Sequence, residues 1–178
     1  MTDHDPSAPL TIRVWDPFVR LFHWSLVASV TICLVLEAGD SLHRMAGYVA
    51  GGLVLFRLGW GVVGSRHARF SNFVTGPGAI LRYLRSLLTG RPEAHHGHNP
   101  AGGAMIVVLL ATLALSAGSG ALLATDTFWG SDWLEEAHES ISEFLYILIP
   151  LHLLGVAVSS VLHKENLVRA MITGDKKA

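Results

Sequence analysis

Residues 138–152 read HESISEFLYILIPLH, and the two histidines that bracket this stretch govern how the rest of the chain is read. From Phe144 to Leu162 the segment is almost continuously apolar, and its length is that of a membrane span. Fourteen residues separate His138 from His152. In an α-helix that interval advances about 21 Å and completes nearly four turns, so both imidazoles project from one face at two depths. An ionisable side chain is costly inside a bilayer, and where one occurs it marks a functional site by default.

The surrounding composition agrees with a membrane setting. Of 178 residues, 51% are hydrophobic and 15% are charged. Soluble domains carry about a quarter charged residues. Three more apolar stretches, Phe18 to Leu36, Met45 to Gly64 and Ala101 to Thr125, approach the roughly 20 residues that cross a hydrocarbon core of about 30 Å. Spans are expected at 17–38, 43–64, 101–125 and 138–163, the first interrupted by Arg20 and His23. The fold class is all-α: an integral-membrane four-helix bundle, read as one domain over 1–178 with no separate soluble domain. Residues 1–15 lack the basic start, apolar middle and small-residue cleavage site of a secretory signal, so the first span is expected to be retained. Asp16-Pro17 reads as its start, with Asp as N-cap and Pro at the first helical position.

Charge sets the orientation. Arg66, Arg69, Arg82, Arg85 and Arg91 lie between spans two and three, Lys164, Arg169, Lys176 and Lys177 in the tail, and Arg13 and Arg20 near the start. The other side offers only Arg44, and its second loop carries Asp126, Asp132, Glu135 and Glu136. Both termini are therefore expected on the cytoplasmic side of the membrane. Within the cytoplasmic loop, Ile80, Leu81, Leu84, Leu87 and Leu88 recur at helical spacing around Arg82 and Arg85, which predicts a short amphipathic helix on the inner membrane surface.

This topology sorts the histidines. Span one enters from the cytoplasm, so His23 lies in the inner half, while His43 opens span two near the outer surface. His138 also starts outside and His152 is four turns deeper. Two levels result: His43 with His138 outside, and His23 with His152 inside. Each level holds two imidazoles from different helices, the axial ligand set of a six-coordinate b-type haem. For any one of the four, a hydrogen bond across helices is a competitive explanation; for two matched pairs it is the weaker one. Of the rest, His4 and His67 read as solvated and His163 as interfacial beside Lys164. The cluster His95-His96-Gly97-His98 reads as solvated loop rather than a metal site, because no carboxylate or cysteine completes it. Cys33 is the single cysteine and no Cys-x-x-Cys-His occurs, which excludes covalent c-type attachment and four-cysteine clusters.

Arg57 follows His43 by fourteen residues and so shares its face at the inner level. It is either a partner for a haem propionate or a side chain snorkelling to the cytoplasmic surface. Arg20 and Arg44, near His23 and beside His43, are further propionate partners. Gly47, Gly51, Gly52, Gly118 and Gly120 are small residues that permit close helix approach or make room for a flat macrocycle. Pro150 is expected to kink span four locally.

Taken in order, these residues resemble a known family, the bacterial cytochrome b561 family, and within it the b-type subunit of nickel–iron hydrogenases. The resemblance rests on Val14-Trp15-Asp16-Pro17 running into Arg20-Leu21-Phe22-His23-Trp24, on His43-Arg44 with Gly47-Tyr48, and on Phe56-Arg57-Leu58-Gly59-Trp60-Gly61. It continues through Gly97-His98-Asn99-Pro100, His138, His152, Lys164-Glu165-Asn166 and Met171-Ile172-Thr173-Gly174. It implies a four-helix bundle with two non-covalent b haems, one near each face, ligated by His23, His43, His138 and His152. It also implies electron transfer between a periplasmic partner (a c-type cytochrome, a hydrogenase or another dehydrogenase subunit) and membrane quinone, with the chain acting as a cytochrome subunit or quinone oxidoreductase module. This chain is shorter than the hydrogenase subunit, with tighter outer loops. No nucleic-acid partner is expected, and a homodimer is open. Rival readings are a histidine-based transition-metal transporter and a haem-free membrane anchor.

Overall fold

The computed structural model describes residues 11–37, 39–89 and 97–177. In chain order these form β1 (Thr11–Arg13), α1 (Pro17–Val35), α2 (Ser41–Val63), a 3-10 turn (Phe70–Asn72), α3 (Pro77–Leu88), α4 (Pro100–Leu123), α5 (Asp132–Glu143), α6 (Leu145–Leu162), α7 (Leu167–Thr173) and β2 (Asp175–Lys177). Four helical segments are long and apolar enough to cross a membrane: α1, α2, α4 and the 31-residue run Asp132–Leu162.

Polar caps start these helices. Asp16 accepts from the Val19 amide at 2.9 Å ahead of Pro17. Asp40 accepts from Leu42 at 2.6 Å, and Asn99 accepts from Gly102 at 2.7 Å ahead of Pro100. Each satisfies an amide that has no partner within the helix. The core runs along α1, α2, α4 and α6 through Phe22, Val30, Val54, Leu110, Leu113 and Leu145. Val35, Leu55 and Val161 are more than 70% exposed, as expected of side chains that face lipid.

Span four departs from the expected single helix. The run divides at Phe144 into α5 and α6, although Phe144 keeps right-handed helical dihedrals, its amide donates to the Ser140 carbonyl at 3.3 Å and its own carbonyl accepts from Leu148 at 3.0 Å. Pro150, which has no amide proton to give the Tyr146 carbonyl, lies within α6. The amphipathic loop helix is present as α3, with Tyr83 buried and Leu81 and Leu84 exposed.

The sequence reading contained no strand, yet the two ends of the described chain pair. β1 and β2 run antiparallel, with Thr11 opposite Lys177 and Arg13 opposite Asp175. The amides of Val14 and Trp15 both donate to the Gly174 carbonyl, at 2.9 and 3.1 Å. Below this ribbon Val14, Trp15, Val19, Ala68 and Ala170 form a second small core. Arg20 donates to the Ile172 carbonyl at 2.5 Å, Trp24 to that of Met171 at 3.3 Å, and Lys176 pairs with Glu165 at 3.1 Å. Both ends of the chain are thus clamped across the same end of the bundle.

Candidate functional site

At the end remote from the clamp, His43 in the first turn of α2 faces His138 of α5. Their ring centres lie 6.4 Å apart with planes at 75°. His43 Nδ1 lies 3.3 Å from the Leu36 carbonyl. His138 Nδ1 lies 3.0 Å from the Ser116 carbonyl and 3.0 Å from Ser119 Oγ. A carbonyl can only accept, so Nδ1 carries the proton in both rings and Nε2 is left as a lone pair. A Cβ on Gly120 would stand 2.9 Å from His138 Cε1, so the ring occupies the space a side chain there would need. Ser116 and Ser142 join α4 to α5 at 2.8 Å. Arg44 is exposed beside this pair.

Nearer the clamp, His23 of α1 and His152 of α6 are both half-buried and close enough to feel each other's charge. His23 stands edge-on to Trp24 at 5.0 Å, and its Nδ1 is enclosed with no hydrogen-bond partner. His43 thus faces His138 across helices at one end of the bundle, and His23 lies within charge range of His152 nearer the other.

Arg57 does not snorkel: it is 3% exposed. One guanidinium nitrogen, Nη2, donates to the Ala68 carbonyl at 3.0 Å, and the group lies 4.9 Å from the Phe70 ring centre and 5.9 Å from that of Phe73. The loop after α2 folds back over it, so the short path to water that the sequence suggested is closed. Its Nη1 is enclosed without a partner, as is Nε of Arg20.

His98 is the residue the sequence reading misplaced. It is not solvated loop. Its ring packs between Trp15, at 4.5 Å, and Phe73, at 4.6 Å, and its Nδ1 is enclosed. Burial first, then the charges of Arg57, Lys176, His67 and His152, push its pKa down to about 3, so the imidazole is neutral. The readable signal was Asn99-Pro100, which starts α4 and so sets His98 at the edge of the bundle; the Asn99 amide also reaches Ser159 Oγ of α6 at 3.4 Å. His95 and His96 lie outside the described residues. Among the described residues no group of three or more His, Cys, Asp or Glu side chains is placed to hold a metal ion.

No curated protein and no solved structure matches the chain. The family model for prokaryotic cytochrome b561 matches residues 14–174, a range that takes in every span, both histidine pairs, His98 and the α7 part of the clamp but not its two strands. The four apolar helices fit that family's membrane setting, and its cofactor is b-type haem. The chain belongs to the prokaryotic cytochrome b561 family, the membrane b-type cytochromes of electron transfer.

Proposed function

We propose that the protein carries electrons across the bacterial inner membrane through two bis-histidine b haems, His43 with His138 at the outer level and His23 with His152 at the inner. The observation that carries this reading is the outer pair's 6.4 Å ring separation. A metal held about 2 Å from both Nε2 atoms, each about 1.1 Å from its ring centre, would set the centres about 6.2 Å apart. Both Nδ1 protons are turned onto oxygen acceptors, the second-sphere arrangement that fixes a ligating histidine and frees Nε2.

When bound, the haems supply reversible one-electron chemistry. The protein's own residues ligate, bury and orient. Arg57 and Arg20 bring positive charge beside the inner level, suited to propionates, and Arg44 does so from the exposed outer rim. Arginine and lysine abundance at the clamped end supports a cytoplasmic side for both termini. The outer segment then presents Asp126, Asp132, Glu135, Glu136 and Glu139 around Trp129 and Trp133, which are 73% and 64% exposed. That surface suits docking of a basic periplasmic redox protein, a c-type cytochrome or a hydrogenase or dehydrogenase subunit, with quinone as the partner within the membrane. A histidine-based metal-ion path is less well supported, since each level offers two imidazoles and, among the described residues, no third ligand.

A reduced-minus-oxidised spectrum with pyridine haemochrome quantitation tests this reading. The expected result is low-spin b-type bands at about two haems per chain, falling to one in His43→Ala or His152→Ala. Full haem content in either variant would overturn the pairing, and haem-free protein from haem-replete cells would overturn the cytochrome reading.

A further inference from the structure

The neighbourhood of the inner histidine pair holds an unusual set of unsatisfied atoms. Arg20 Nε, His23 Nδ1, Arg57 Nη1 and His98 Nδ1 are all enclosed and all lack a hydrogen-bond partner. Enclosing a polar nitrogen without a partner is costly, and more so when the group is charged. The two guanidinium nitrogens can only donate, so they call for acceptors that carry negative charge, and either imidazole can join them when its Nδ1 holds the proton. The outer pair differs, for both its Nδ1 atoms are bonded to carbonyls.

Three of these nitrogens sit on one continuous rim. Arg20 Nε and the Trp15 carbonyl lie 3.4 and 2.8 Å from the point where a Cβ on Gly174 would stand. The Trp15 ring meets His98, His98 meets Phe73, and Phe73 flanks the Arg57 guanidinium. His98 is close enough to His152 to feel its charge, and Arg20 precedes His23 by less than one turn. The neighbouring carboxylates are engaged elsewhere. Asp16 accepts from Val19, Trp60 and Ser65, Glu165 pairs with Lys176, and Asp175 pairs with Arg13.

We propose that Arg20, Arg57 and His98 form the binding site for the two propionate carboxylates of the inner haem, with His98 Nδ1 donating to one of them. The proposal rests on the bis-histidine reading above. Two guanidinium groups balance two carboxylates, so no net charge stays buried. A neutral imidazole adds a hydrogen bond without adding a third positive charge. A neutral carbonyl ligand such as a quinone would leave Arg20 without a counter-charge and Arg57 with only the more distant Asp16. His98 is thus a positioning residue, acting on the haem through its carboxylate.

The test compares His98→Leu with His98→Asn, whose amide nitrogen replaces Nδ1, in purified haem-loaded protein. The Leu variant is expected to keep two haems, shift the propionate-bending bands in resonance Raman and lower the inner haem's midpoint potential; the Asn variant is expected to restore both. Unmoved bands and potential in His98→Leu would overturn the proposal. Should that variant fail to fold, wild-type protein with 13C-carboxyl haem and 15N-histidine gives the answer by solid-state NMR. A dipolar cross-peak from propionate to His98 Nδ1 supports the site and its absence overturns it. Haem quantitation on the wild type keeps a failure of the bis-histidine reading distinct from a failure of His98.

Discussion

Gly120 has no side chain because His138 stands where one would go. A Cβ at 2.9 Å from His138 Cε1 can be accommodated only if the ring moves, and the ring is held on two sides by Ser116 and Ser119. Gly120→Ala is therefore expected to lower haem content from two towards one per chain, while Gly118→Ala, with nothing within 4 Å of the new methyl, leaves it unchanged. Pyridine haemochrome assays of the two variants check this. Sequence reading offered close packing or room for a macrocycle for both glycines and could not tell them apart, because their roles depend on a ring from another helix. His23 and His152 were legible for the opposite reason, since an imidazole in an apolar run stands out without any knowledge of its neighbours, and His43 and His138 were legible from where the topology puts them at the outer ends of two spans. His98 was hidden because Trp15 and Phe73, distant in sequence, create its burial. Asp16 adds a pH dependence. Burial would raise its pKa, but hydrogen bonds from Ser65, Val19, Trp60 and Phe18 outweigh that and hold it below the usual 3.8. A depressed carboxyl contributes stability that is present above its unfolded pKa and is lost as pH falls through the folded one. Asp16→Asn should flatten the acid limb of thermal stability in detergent, and Asp16→Ala should cost about 1–2 kcal/mol at neutral pH through the lost cap.

Among the elements, α2 and α4 come closest where Gly51 meets Ala117. A Cβ on Gly51 would lie 3.3 Å from the Ala117 methyl, whereas one on Gly52 would meet nothing within 4 Å. Gly51→Leu should wedge the two helices apart at a cost of about 1–3 kcal/mol, and Gly52→Leu should be near neutral. Thermal unfolding of the two proteins in the same detergent separates these outcomes. Helix starts were legible where a cap chemistry was written locally, as at Asp16-Pro17 and Asn99-Pro100. A local kink in span four was expected at Pro150, whereas the run divides at Phe144, six residues earlier, and Pro150 lies inside α6.

For the whole molecule, hydropathy alone announced a four-span bundle, since lipid-facing surface must be apolar along its full length. The clamp of β1, α7 and β2 was not legible: three-residue strands carry no usable alternation, and their partner lies at the other end of the chain. Gly174 is its pivot, at φ +94 and with the Trp15 carbonyl 2.8 Å from where a Cβ would stand. Gly174→Val should cost about 1–3 kcal/mol locally and release both ends together. Limited proteolysis is expected to trim residues near 13 and near 175 in the variant while the spans stay protected.

That pivot also sets an order of assembly. The Gly174 carbonyl is translated only after every span has been synthesised, so the amides of Val14 and Trp15 wait for it until then. The floor beneath His23 and His152 stays open throughout elongation and shuts once the tail arrives. Synthesis itself thus grants the inner level a period of access that the finished molecule withdraws.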